Sequence, residues 1–173
     1  MKQILNEIPY TEDQKTLKLF KEFENLKNQE FLSKEQIIKI LMWKSPRPKN
    51  LYLSNSEVEI KEITEIAFKT KSDILKIHIL TALKGVSYPA ASAILMFYNP
   101  NDYAVIDIRV WRQLYNAKLV TSNPIGQNFT LKECEIFYAT IRKLSVELNL
   151  TSRQVEKKIF DYDKKTQIGN LYK

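Results

Sequence analysis

Local helix-start chemistry governs this sequence. A Ser or Thr followed three residues later by Glu or Gln occurs at Thr11…Gln14, Ser33…Gln36, Thr130…Glu133 and Thr151…Gln154. Each pair has capping-box form: the hydroxyl satisfies an orphan N–H of the first turn, and the longer side chain reaches back to the cap. Apolar residues at helical spacing follow and predict helices over about 12–28, 34–43, 131–149 and 152–162. Asn55 or Ser56 starts another through Phe68, with Val58, Ile60, Ile63, Ile66 and Ala67 as its buried stripe, and Ser72 or Asp73 opens one to about Leu83. Pro46, Pro48, Pro100 and Pro124 fall in loops. The expected class is all-α: a single domain over 1–162 and a polar, frayed tail from Asp163. No internal repeat or low-complexity linker divides the chain.

Composition narrows the chemistry. Residues 1–80 carry 14 Lys+Arg against 12 acids, whereas residues 81–173 carry 13 against 8, so most of the +7 net charge lies in the second half. Two stretches lack acids altogether. Gln36–Ser56 holds Lys39, Lys44, Arg47 and Lys49, and Ile108–Lys132 holds Arg109, Arg112, Lys118 and Lys132. Such stretches suit a polyanion. With one Cys (Cys134) and one His (His78), the chain cannot assemble an intramolecular disulfide, a zinc site or an iron–sulfur cluster from its own side chains. The lone Cys points to a reducing, cytoplasmic compartment. His78 lies in the apolar run Ile77–Leu80 and reads as a packed core or boundary residue. No apolar run approaches the about 20 residues of a membrane span. The N-terminal Met1–Glu7 turns acidic too early for a signal peptide.

One segment stands apart: Leu83-Lys84-Gly85-Val86-Ser87-Tyr88-Pro89, followed by small Ala90, Ala91 and Ala93. A helix ends, Gly85 makes a tight turn at positive φ, and Pro89 suits the first turn of the next helix. The N–H groups at that helix start would suit a phosphate oxygen; an ordinary helix-ending glycine gives the same local pattern. Further on, Val105-Ile106-Asp107-Ile108-Arg109-Val110-Trp111 places an Asp directly before an amphipathic helix, where Asp commonly serves as an N-cap.

Together, hairpin and Asp resemble the helix-hairpin-helix DNA glycosylase superfamily, which includes the 8-oxoguanine glycosylase and endonuclease III fold family. Leu83-x-Gly85-Val86-Ser87 matches that family's hairpin, and Asp107, 22 residues after Gly85, matches its catalytic Asp. The likeness covers about residues 73–116 strongly and the remaining helical layout loosely. Two departures stand out. Ser87 replaces the second hairpin glycine, and Pro89 occupies the position where strand-cleaving members carry a lysine. Proline has no amine, so Schiff-base chemistry through that position is excluded. The family's cluster cysteines are absent as well.

The resemblance therefore implies a helix-hairpin-helix glycosylase-like bundle that acts on DNA as a monomer without a cofactor or metal, in the nucleoid and in base excision repair. Its activity would be monofunctional release of a damaged or modified base. Asp107 would stabilise the oxocarbenium-like sugar and orient or deprotonate water. Expected DNA contacts are Lys84, Gly85, Val86, Ser87, Arg109, Lys44 and Arg47, and the flipped base is expected against Tyr88, Trp111 or Trp43. Lys157-Lys158 and Lys164-Lys165 read as solvated charges. Three alternatives remain open: a non-catalytic DNA-binding module with Asp107 only a cap, a glycosylase/lyase using Lys44 or Lys84, and an all-α protein-interaction domain.

Overall fold

A computed structural model describes residues 1–168, and every regular element among them is helical. In chain order they are α1 (Lys2–Glu7), α2 (Gln14–Glu22), a 3₁₀ turn (Leu26–Asn28), α3 (Lys34–Lys44), α4 (Lys49–Leu53), α5 (Glu57–Lys69), α6 (Asp73–Leu80), α7 (Tyr88–Tyr98), α8 (Ile108–Asn116), α9 (Leu131–Leu148) and α10 (Ser152–Thr166). The chain is all-α, as its capping pattern requires. Ser33, Thr130 and Thr151 each close a full capping box, and Ser56 closes another with Glu59.

At the N-terminal end the expected start is displaced. Asp13, not Thr11, caps α2, because its carboxylate accepts from both the backbone N and the hydroxyl of Thr16 at 2.9 and 2.7 Å. That helix stops at Glu22 rather than running to 28; a 3₁₀ turn then carries Leu26 into the core. Another correction concerns α5. Val58 and Ile66 are 65% and 57% exposed, and the buried face is Ile60, Thr64, Ala67 and Phe68. A polar residue took one of the buried places: the Thr64 hydroxyl accepts from Leu32 N and donates to Ile60 O, so its burial leaves no bond unmade.

At the centre lies α7, buried along all of Ala90–Phe97. It packs on α3 and α6, while α10 packs on α8 and α9. Ala90, Ala91 and Ala93 allow these close approaches, since they place no bulk between helices. The helix α6 ends at Leu80 instead of Leu83, and His78 on it is exposed rather than packed, its Nδ1 lying 3.0 Å from the Tyr88 hydroxyl. The tail expected from Asp163 is helical at its start, and its last residues, 169–173, lie outside the described ones. Asp163 is buried inside α10, which continues to Thr166 because Asp163 binds Arg109 and Gln113 of α8 at 2.8 Å each. Lys158, expected in solvent, is buried and caps α1 by donating to Leu5 O at 2.8 Å; Lys157 pairs with Asp161. Lys164 and Lys165 are exposed.

Candidate active site

The turn between α6 and α7 is held by backbone chemistry and by one buried amide. Gly85 has φ +81°, a conformation that L side chains rarely adopt. Close packing requires glycine a second time, because a Cβ there would lie 2.8 Å from Leu51 Cβ and 3.1 Å from Tyr52 Cδ1. The partner surface is α4, a helix the sequence pattern does not predict; Pro48, expected in a loop, is its N-cap. Asn55 clamps the turn. Its Oδ1 accepts from Lys84 N at 2.8 Å, and its Nδ2 donates to Lys84 O, Leu51 O and Tyr52 O. Ser87 caps α7 at φ −86°, so its replacement of a glycine carries no backbone strain, and its side chain makes no capping bond.

Asp107 lies at the start of α8, at the end of the irregular stretch Tyr103–Ile106. That stretch is pinned to its neighbours: Ile106 N donates to Ser92 Oγ of α7 at 2.8 Å, and Val105 N reaches Glu156 of α10. The two carboxylate oxygens of Asp107 do different jobs. Oδ1 accepts from Arg109 N at 3.0 Å, which makes the residue an N-cap, and Oδ2 accepts from Lys44 Nζ at 2.8 Å. Burial would push this carboxyl up. The Lys44 ammonium, its hydrogen bond and the Arg109 N–H outweigh burial and hold it below the usual carboxylate range, so Asp107 is ionised at neutral pH.

Lys44 and Asp107 line two cavities. In front is a cleft of about 670 Å³ bounded by Lys44, Ser45 and Arg47 at the end of α3, by the hairpin residues Val86–Pro89, and by Gly126–Phe129. Behind is a cavity of about 260 Å³, bounded by Trp43, Val105 and Phe160 with Asp13, Arg153, Glu156 and Lys157. Arg153 is buried and holds both Glu12, at 2.7 and 3.1 Å, and Glu156. Its guanidinium also lies 5.6 Å from the Trp43 ring. Burial pushes the Glu156 carboxyl up against the opposing pull of Arg153, and the nearby Asp107 charge adds to the rise.

The residues singled out in the sequence separate into groups. Lys44, Arg47, Val86, Ser87 and Tyr88 line the front cleft with Asp107, and Gly85 shapes the turn beside it. Trp43 faces the rear cavity, its indole N–H donating to Thr16 Oγ1 at 3.0 Å. Three side chains fall outside both cavities. Trp111 is fully buried and donates to Asn123 O at 2.8 Å, so it braces the 123–129 loop from behind instead of facing a ligand. Arg109 turns away to Asp163 and Gln167, and Lys84 projects toward Glu59 and Ser54 O.

Residues missed in the sequence also line these spaces. Gln127, Asn128 and Phe129 reach the front cleft because Asn123, itself at φ +51°, folds the loop by accepting from Gly126 N and Gln127 N. Pro124 marked a loop, but nothing in the Asn-Pro-Ile-Gly run signalled a cleft. Glu156 and Phe160 carried no sequence signal beyond helix periodicity. Among the described residues no three His, Cys, Asp or Glu side chains are grouped so as to hold a metal ion, and no helix is long and apolar enough to cross a membrane. Compared with protein-family models, with curated proteins and with solved structures, the chain matches none.

Proposed function

We propose that this protein is a DNA glycosylase that releases a damaged or modified base by hydrolysis of its N-glycosidic bond. The observation that carries this reading is the ionised Asp107, fixed as a helix cap and lining both a hairpin-edged cleft and an aromatic-sided cavity. A strand lying in the front cleft would meet the hairpin backbone and the cations Lys44 and Arg47. The target nucleotide would turn out of the duplex stack, with its base directed past Asp107 to Trp43 and Phe160 in the rear cavity. Loss of the base with the bonding electron pair leaves positive charge on the sugar. The Asp107 carboxylate lowers the cost of that charge and takes a proton from the water that adds to C1′.

The test is base release from duplexes carrying oxidised, alkylated, deaminated or hypermodified bases. Wild type should release one class, and Asp107→Asn should lower the rate by about 10²–10³-fold while still binding duplex. If neither protein releases any base and both bind DNA equally, Asp107 is only a cap and the chain is a binding module. If wild type binds no DNA, the protein-interaction reading takes its place.

A second reading has its own observation. Lys44 puts an amine 2.8 Å from Asp107, a position that Pro89 cannot fill. As the free amine, Lys44 could attack C1′ of an opened abasic sugar, and imine formation with loss of water would permit elimination of the 3′ phosphate. Borohydride would then trap a covalent adduct that Lys44→Gln abolishes. Lys84 is the poorer candidate for that amine, since it lies outside the cleft and pairs with Glu59.

A further inference from the structure

Lys44 presents an electrostatic conflict. Base loss builds positive charge on the sugar beside Asp107, yet an ammonium 2.8 Å from that carboxylate repels the charge and consumes part of the carboxylate's field. The rear cavity cannot relieve this. Arg153 and Lys157 add positive charge there, Asp13 is bound to Thr16, and Glu156 is bound to Arg153. The front cleft differs. Its lining holds Lys44 and Arg47 and a single acid, Asp107 itself. An anion entering from that side therefore meets one competitor for Lys44. The lysine stem is a flexible four-carbon chain at the last residue of α3, whereas Asp107 stays fixed through the Arg109 N–H on its other oxygen.

We propose that a DNA phosphate entering the front cleft draws Lys44 off Asp107, so that the ion pair is the resting state of a latch and the carboxylate turns to the sugar only when a strand is bound. The inference rests on the reading that the front cleft receives DNA. It makes Lys44 a phosphate contact in the complex and a mask on Asp107 in its absence. In the Schiff-base reading, by contrast, Lys44 remains at Asp107.

The salt dependence of duplex binding separates these states. The probe is a duplex carrying a tetrahydrofuran abasic analogue, which no glycosylase or lyase step consumes, followed by fluorescence anisotropy between 50 and 200 mM salt. Each phosphate contact contributes about 0.9 to the slope of log K against log salt, or about 3.5-fold in affinity over that range. The latch requires Lys44→Gln to flatten the slope by about 0.9. It also requires Asp107→Asn to bind tighter with an unchanged slope, because Lys44 already contacts phosphate in the wild-type complex. An unchanged slope in a folded Lys44→Gln protein overturns the latch. A slope that steepens by about 0.9 in Asp107→Asn overturns it too, since Lys44 would then have been freed only by the substitution. The second variant keeps the test decisive should the first not fold. A wild type that binds no duplex ends the DNA reading and the latch with it, whereas either adverse slope ends the latch alone.

Discussion

Replacing Gly85 by Ala isolates the physics of the hairpin. Two penalties apply at once. An L residue held at φ +81° costs about 1–2 kcal/mol. The added Cβ would lie 2.8 Å from Leu51 Cβ, an atom fixed to the α4 backbone that no rotamer change can move. Overpacking of that kind costs about 1–3 kcal/mol. Lower entropy of the unfolded chain returns about 0.4–1 kcal/mol. The net expectation is a loss of about 1–5 kcal/mol, or about 2–20 °C in Tm for a chain of this size. Urea unfolding followed by circular dichroism measures it directly. Gly85→Asn divides the two contributions, because Asn tolerates the left-handed region but keeps the Cβ, so its loss should be the smaller. If Gly85→Ala cost under about 1 kcal/mol, neither the φ argument nor the close approach to α4 would stand.

Two further outcomes follow from the same structure. Asn55→Ala should destabilise by about 2–4 kcal/mol, because it strips partners from the buried Tyr52 carbonyl and from part-buried backbone groups of Lys84 and Leu51, and thermal melts read the change. The Asp107 carboxyl is held below its unfolded value, so its share of stability is present above the unfolded pKa of about 3.9 and is lost as pH falls through the folded one. Asp107→Asn should therefore cost about 1–3 kcal/mol at pH 7 and progressively less in urea titrations carried below about pH 4; a penalty that grew on acidification would contradict the ion pair.

How much was legible depended on the range of the interaction. Capping boxes join residues three apart, so Ser33, Thr130 and Thr151 declared their helices in the sequence. The same locality made Asp107 readable as an N-cap and Gly85 as a positive-φ turn. The start of α2 was misplaced because Thr11 and Asp13 both have cap chemistry, and only the contact with Thr16 chooses between them. The α5 stripe was misread because Val58 and Ile66 are apolar yet face outward, while Thr64 is polar yet buried with its bonds made. None of the site's long-range links could be read. Lys44 and Asp107 are 63 residues apart, Arg109 and Asp163 are 54 apart, and no periodicity records such pairings.

The position of α10 has a consequence for the order in which the molecule is made. Its Arg153 and Lys158 hold Glu12 and the α1 carbonyl of Leu5, its Glu156 and Phe160 close the rear cavity, and its Asp163 anchors the α8 residue two beyond Asp107. Translation delivers Trp43, Lys44 and Asp107 long before any of these. A nascent chain can thus hold Asp107 and the hairpin while lacking the back of the cavity, and Glu12 and the Leu5 carbonyl must wait for their α10 partners. Assembly of the candidate site is in this way tied to the synthesis of α10, and chains that have not reached it lack the lining of the rear cavity.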